Sequence, residues 1–98
     1  MQKHILIIVC TDVAPEMEEE FNRWYDEEHI PRLLRVPGVL WAKRGMNTRG
    51  GPKYIAVYEH ESVEVQKTEA YREVLETDWA NKIRPYLRNF VREIYELL

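Results

Sequence analysis

An uninterrupted apolar run near the start of the chain, ILIIVC at residues 5–10, restricts the fold more than any other feature. A strand with one face in water alternates apolar and polar residues, whereas a continuous apolar run is typical of a strand covered on both faces. The run is too short for the apolar part of a secretion signal, and a bilayer-spanning helix needs about 20 residues. We therefore predict a central strand in a cytoplasmic protein that does not enter a membrane.

The size and charge of the chain limit its architecture and its partners. Its 98 residues predict one domain over 1–98, because autonomous domains usually need about 50 to 200 residues. The formal charge of −3 and the lack of a basic cluster argue against a nucleic-acid partner. Cys10 is the only cysteine, so no intrachain disulfide can form, and its place at the end of the apolar run indicates a small buried residue.

A helix is predicted after the first strand. Pro15 suits a first helical turn, and acidic residues follow it, as the helix dipole favours. Met17, Phe21 and Trp24 follow at steps of four and three, which places them on one stripe of a helix. Glu28 continues this stripe. Because a buried lone carboxylate is costly, we expect Glu28 to pair with an arginine or to be partly exposed.

Pro31 is predicted to end or kink this helix near His29. Proline lacks the N–H that a helix interior needs, and it pushes the preceding residue, Ile30, toward extended geometry. Leu33 and Leu34 would then pack after the bend.

The remainder of the chain predicts two strands, a second helical region and a last strand. Ser62 and Thr68 are both suitable N-caps, so we expect two short helices in the second region. In chain order the segments are a turn at 36–39, strands at 39–44 and 53–60 joined by a glycine loop at 47–52, helices within 62–86, and a strand at 89–97.

The resulting order of elements is β-α-β-β-α-β. Right-handed βαβ crossovers turn this order into a four-stranded antiparallel sheet with both helices on one face, a ferredoxin-like α+β fold. The helices can cover only that face, although the first strand is apolar on both sides. We therefore predict that the uncovered face meets the same face of a second subunit in a homodimer.

Residues 21–44, FNRWYDEEHIPRLLRVPGVLWAKR, resemble the dimeric α/β-barrel superfamily, and in particular the small EthD-like proteins. The first helix of those proteins carries a W-Y-x-x-x-H-x-P type signature, matched here by Trp24, Tyr25, His29 and Pro31. Residues 68–97 are similar to the C-terminal half of the same proteins, so the resemblance covers nearly the whole chain.

The resemblance implies a ferredoxin-like subunit that pairs through its sheet into a closed barrel, with a cavity between sheet and helices in each subunit. Relatives include cofactor-free polyketide cyclases, quinone-forming monooxygenases, lactone isomerases, haem-degrading enzymes and proteins without assigned activity. Because one fold hosts several reactions, the resemblance does not choose among them.

Tyr25 and His29 are the candidate catalytic pair. Four residues apart on a helix, they are neighbours, with about 5–6 Å between their Cβ atoms. A histidine can accept or give a proton near neutral pH, and a tyrosine hydroxyl beside it could polarise a carbonyl or hold an enolate. This chemistry suits a cofactor-independent cyclase, isomerase or monooxygenase that acts on an aromatic or polyketide-like carbonyl compound.

Structural roles provide an alternative for the same two residues. His29 could bond to free backbone carbonyls at the helix end, and Tyr25 could lie at the edge of the core with its hydroxyl in water. The protein would then be a non-catalytic binding or accessory protein for a small hydrophobic or aromatic ligand. Haem handling is a more remote alternative, since one histidine can ligate haem, but the spacing of histidines and cysteine predicts no metal site.

Aromatic residues on the two middle strands are candidates for substrate binding or for a dimer interface. Tyr54, Tyr58 and His60 share one face of their strand, while Trp41 shares a face of its own strand with Val39. We favour the interface for Tyr54 and Trp41, leave Tyr58 open, and expect His60 to be a solvated residue at the strand end.

Four residues are predicted to contact a substrate: Trp24, Tyr58, Trp41 and Arg44. Arg44 and Arg84 could each bind a carboxylate or phenolate, although a surface position is the simpler interpretation for both.

Overall fold

A computed structural model describes residues 2–98 as one antiparallel sheet with helices on one side. The strands are β1 (Ile5–Val13), β2 (Val39–Met46), β3 (Tyr54–His60) and β4 (Leu87–Glu96). The helices are α1 (Glu18–Trp24), a π turn (Tyr25–His29), α2 (Ile30–Leu33), α3 (Glu69–Leu75) and α4 (Asp78–Ile83), with 3-10 turns at Pro15–Met17, Val63–Lys67 and Arg84–Tyr86. The strand order β2-β3-β1-β4 confirms the predicted ferredoxin-like fold.

The central strand β1 has two faces in different surroundings. Ile5 and Ile7 are almost fully buried beneath the helices, whereas Leu6 and Ile8, on the opposite face, are only half-buried. The same alternation runs through β3. The prediction that the helices cover one face of the sheet is therefore confirmed.

The uncovered side of the sheet, here called the outer face, is rich in apolar residues. The strand pairing places three residues of β1 in rows with neighbours on β3 and β4. The rows are Glu59–Leu6–Tyr95, Val57–Ile8–Glu93 and Ile55–Cys10–Val91. Val91 and Tyr95 remain 46% and 47% exposed, so the outer face presents apolar surface to solvent in the single subunit.

The first helix does not end at His29, which corrects the sequence-based prediction. Ile30 has helical dihedral angles of −65° and −46°, and its N–H donates to the carbonyl of Tyr25, five residues back. The π turn holds one extra residue, so Pro31 falls in the first turn of α2, where a missing N–H is tolerated. The helix continues to Leu33, which is buried.

Two residues of β3 lie elsewhere than the sequence analysis expected. His60 is 1% exposed, not solvated, and Tyr54 packs beneath the helices against Phe21, with 5.1 Å between ring centroids, not on the outer face. Both lie on the helix-facing side of the strand, whose side chains are buried in the core.

A register shift between β2 and β3 explains the position of Trp41. Val39 pairs with His60, but Trp41 pairs with Glu59, so one extra residue of β2 lies between the two pairs. Val39 therefore faces the helices and is buried, whereas Trp41 turns to the outer face. The prediction that these two side chains share one face is wrong.

Local capping signals in the second helical region are confirmed. Ser62 Oγ accepts a hydrogen bond from the N–H of Glu64, and Thr68 Oγ1 accepts one from Tyr71. Thr77 caps a further short helix, α4. None of the helical segments within residues 2–98 has the length and apolarity to cross a bilayer.

Candidate active site

A cavity of about 120 Å³ lies between the helices and the helix-facing side of the sheet. Its apolar walls come from both layers, and none of the described residues that line it is acidic. The polar side chains that line it are Thr11, Tyr25, His29, Tyr58, Tyr71, Arg84 and Arg92. The cavity is therefore an apolar space with hydroxyls, one imidazole and two guanidinium groups at its walls.

His29 faces this cavity and does not cap the helix. Its side chain is buried, with 7% exposure, and its ring stacks on Trp24 with 4.4 Å between centroids and 24° between planes. Nδ1 is buried and has no hydrogen-bond partner among residues 2–98. The capping role considered for His29 is not observed. A buried polar atom without a partner is costly, so Nδ1 of His29 is available to bond with a group that enters the cavity.

The aromatic rings of Tyr25, His29 and Tyr58 form a cluster in the cavity lining. The centroid of the His29 ring lies 5.2 Å from that of Tyr25 and 6.4 Å from that of Tyr58, and both pairs are nearly perpendicular. Tyr25 is 6% exposed, so its hydroxyl is not at the water-facing edge of the core. The π turn carries Tyr25 and His29 at its two ends and buries both.

Glu28 holds the indole on which His29 stacks. The Nε1–H of Trp24 donates to Glu28 Oε2 over 3.1 Å, and the hydroxyl of Thr77 donates to the same oxygen over 2.6 Å. Arg32 lies 4.0 Å from the other carboxylate oxygen, and the Glu28 side chain is 16% exposed. These contacts agree with the predicted pairing and partial exposure. Glu28 fixes Trp24 and makes no contact with the imidazole itself.

The surroundings keep the imidazole neutral and the phenols protonated. Burial, and then the positive charge of Arg84, lower the pKa of His29 from 6.5 to about 4. Burial raises the pKa of Tyr25, and it raises the pKa of Tyr58 well above its ordinary value. At neutral pH the cluster therefore offers a proton acceptor beside two hydroxyl donors.

Arg44 contacts the ring of Tyr25 but does not line the cavity. Its guanidinium carbon is 4.5 Å from the centroid of the Tyr25 ring, and its nitrogens donate to Asn22 Oδ1 over 2.6 Å and to Asp26 Oδ1 over 3.0 Å. This position differs from the substrate contact expected for Arg44. The residue instead braces the outer side of the Tyr25 ring by a cation–π contact.

Of the other expected substrate contacts, Trp24 and Tyr58 line the cavity and Trp41 does not. Trp41 is on the outer face, where its Nε1–H donates to Glu59 Oε1 over 2.8 Å. The thickness of the sheet separates Trp41 from His29, so the structure does not place all four residues at one site.

Two cavity residues, Tyr71 and Arg92, were missed by the sequence analysis. Arg92 pairs with Val9 on the helix-facing side of the sheet, and its Nη2 donates to Gln66 Oε1 over 2.8 Å and to the Tyr71 hydroxyl over 3.3 Å. Alternation along β4 groups Phe90 with Arg92 on one face and was the available signal. Arg84, for which both a carboxylate or phenolate contact and a surface position were considered, is exposed and also lines the cavity.

Fold and site together define a ferredoxin-like α+β subunit with a small cavity beneath its first helix, lined by a neutral histidine and buried tyrosines. No protein-family model and no curated protein matches the sequence. Comparison with solved structures is more informative.

Three solved structures illustrate the likeness. A "Putative antibiotic biosynthesis monooxygenase" from Nitrosomonas europaea has a TM-score of 0.72 and 14% identity, covering 100% of this chain and 93% of that one. A protein of unknown function from Bacteroides thetaiotaomicron scores 0.74 at 14% identity, covering 99% and 100%. A variant of SnoaB, a cofactor-independent oxygenase from Streptomyces nogalater, scores 0.65 at 15% identity, covering 97% and 93%.

Identities this low show a shared fold and nothing finer. The structural likeness agrees with the predicted ferredoxin-like α+β fold, and two of the matched structures carry the name "Putative antibiotic biosynthesis monooxygenase". They do not reproduce the EthD-like resemblance, which stays a prediction.

Proposed function

We propose that the protein is a small cofactor-independent enzyme whose first step removes a proton from an aromatic or polyketide-like carbonyl compound. The observation that carries the proposal is the buried imidazole of His29, which faces the cavity with Nδ1 unpartnered. A general base must be deprotonated before it can act, and burial keeps this imidazole neutral. Tyr25, 5.2 Å away by ring centroids, supplies a hydroxyl to the same space.

In the proposed step His29 accepts a proton from a phenol or from a carbon next to a carbonyl. The negative charge that develops on the substrate oxygen accepts a hydrogen bond from Tyr25. A pKa of about 4 makes the free imidazole a weak base. The new anion beside it would favour the imidazolium and raise that pKa, so proton transfer is easier in the complex than the free protein suggests.

The comparisons support an oxygen-using reaction over the other two classes. Similar structures carry the names monooxygenase and cofactor-independent oxygenase. Deprotonation makes a ring electron-rich, and a CH₂ group of such a ring with one O₂ would give a carbonyl and one water. Cyclisation and isomerisation begin with the same proton transfer, so all three share the assigned roles of His29 and Tyr25.

His29→Gln tests the proposal. The protein would be incubated in air and under nitrogen with hydroquinones and enolisable aromatic ketones, and products followed by mass spectrometry. Loss of a general base should lower turnover about 10²- to 10⁴-fold. His4→Gln, at an exposed histidine, is the matched control. Equal turnover in both variants would contradict the role of His29. Ligand binding without any product in the wild type would favour a binding protein.

We also propose a homodimer that closes over the outer face. Half-buried Leu6, Ile8 and Cys10 lie there beside Val91 and Tyr95, which are exposed in the single subunit. Burying a patch of this kind against its own copy removes apolar surface from water at no cost to the cavity side. Sedimentation should give twice the subunit mass of 11.8 kDa at micromolar concentration. A single-subunit mass there would contradict the dimer.

A further inference from the structure

We propose that Arg84 and Arg92 form an anion subsite at the mouth of the cavity, so that the substrate is an aromatic compound carrying a carboxylate or phenolate group. The inference rests on the proposed function, because it assumes that the cavity holds the substrate. It adds the charge of the ligand and the point at which that charge is held.

The two arginines reach the cavity from different elements. Arg84 belongs to the 3-10 turn after α4, and Arg92 lies on β4 opposite Val9. Both are exposed residues that also line the cavity. A guanidinium in this position can turn its free N–H groups to a ligand while its stem stays in contact with the wall.

Their present hydrogen-bond partners are uncharged. Arg84 donates to Asn81 Oδ1 and to the carbonyl of Leu75, each over 2.7 Å, while Arg92 donates to Gln66 Oε1 and the hydroxyl of Tyr71. By contrast, four other arginines lie within 4.0 Å of a carboxylate, namely Arg23, Arg32, Arg44 and Arg72. The two cavity arginines have neutral partners that position them without neutralising them.

The cavity is thus locally positive in a protein that is negative as a whole. The chain has 17 acidic residues against 14 basic ones, yet no acid is among the described lining residues. The positive charge of the two arginines acts on buried groups. Arg84 contributes to the lowered pKa of His29, and Arg92 contributes to the lowered pKa of His60. A bound anion would offset this field and make His29 a better base.

The apolar part of the site limits the rest of the ligand. Trp24, Leu33 and Phe90 line the cavity, and Phe90 is 50% exposed at the side where Arg92 lies. The volume of about 120 Å³ is small beside the ~300 Å³ at the low end of ligand pockets. A flat ligand of one ring or two fused rings fits this arrangement, with the rings inside the cavity and the charged group at its mouth against the guanidinium groups.

Calorimetric titration with matched probes tests the subsite. The probes are 2-naphthoate as the carboxylate with 2-naphthalenemethanol as its neutral counterpart, and 4-nitrophenolate as the phenolate with 4-nitroanisole as its neutral counterpart. We expect an anion to bind about ten- to a hundredfold more tightly than its neutral counterpart, the range of a charge-assisted hydrogen bond. Whichever anion shows this preference identifies the chemistry of the natural group.

Arg84→Gln and Arg92→Gln should each weaken binding of that anion about tenfold and leave binding of its neutral counterpart unchanged. Arg49→Gln, in the exposed 47–53 loop, is the control and should change neither. Equal wild-type affinity for charged and neutral probes, or no binding of either anion, would overturn the proposal. An equal loss for both kinds of probe in the two variants would do so as well.

Failure of this inference is distinguishable from failure of the proposed function. Charge-selective binding with no product from any compound would retain the subsite and remove the enzyme. Turnover that depends on His29 but not on Arg84 or Arg92 would retain the enzyme and remove the subsite.

Discussion

The two faces of the sheet differ in what covers them and in the side chains that they carry. On the helix-facing side, the side chains of β1 and β3 are buried. The buried polar atoms of this layer include Nδ1 of His60 on β3 and Nδ1 of His29 on the facing π turn, each without a partner among residues 2–98. On the outer face, alternate residues of the same strands are mostly apolar and only partly buried in the single subunit. A strand that is apolar on both sides can thus line a cavity with one face and leave the other face to be covered by a partner, as the proposed homodimer requires.

The largest expected effect is a loss of folding stability, and it should differ between substitutions at two adjacent residues of β1. Ile7→Asp buries an unpaired carboxylate at a position 1% exposed, which should cost about 4 kcal/mol or more and leave little folded protein. Ile8→Asp, one residue along on the outer face, should keep the subunit folded and give a monomer. Circular dichroism and sedimentation of both variants would check this. Equal unfolding by both would show that the faces are not independent.

A smaller effect is expected from acid, and it arises on the helix-facing side. The unfolded chain binds a proton at His29 near pH 6.5, but the folded protein binds it only near pH 4, so the folded state loses stability as pH falls between these values. The loss from this group should reach about 3 kcal/mol at pH 4. Stability is unaffected by it above pH 6.5.

Denaturant titrations from pH 7 to 4 measure this loss. His29→Gln should flatten the curve, leaving a remainder from His60, whose pKa burial also lowers. His4→Gln controls for the removal of an exposed imidazole. An unchanged slope in His29→Gln would mean that the buried imidazole is not neutral in the folded protein.

The smallest effect is expected from two similar indole–glutamate pairs, one on each face of the sheet. Trp24 donates to Glu28 on the cavity side, and Trp41 donates to Glu59 on the outer face. Glu28→Ala leaves a buried indole N–H without an acceptor, which should cost about 1 to 3 kcal/mol and weaken probe binding in the cavity. Glu59→Ala should alter subunit association and leave probe binding unchanged. The reverse pattern would contradict the division of the faces.

Features set by local chemistry were predictable from the sequence. The apolar run of β1, the caps at Ser62 and Thr68, and the turn at Gly38 each follow from a few neighbouring residues. Gly38 has a φ of 94°, in the left-handed region that favours glycine.

Features set by pairing between distant segments were not predictable in this way. The register shift that turns Trp41 outward depends on how β2 pairs with β3. Arg92 reaches the cavity because β4 pairs with β1 in one register. The candidate pair Tyr25 and His29 follows from helical spacing, and Arg84 was already a candidate for a carboxylate or phenolate contact. The place of Arg84 and Arg92 at one cavity required the tertiary structure.

NMR titration of the His29 ring shows directly whether this imidazole is neutral and open to the cavity. We expect a pKa of about 4 in the free protein and a higher value with 2-naphthoate bound. An ordinary pKa near 6.5 that does not respond to the probe would contradict it.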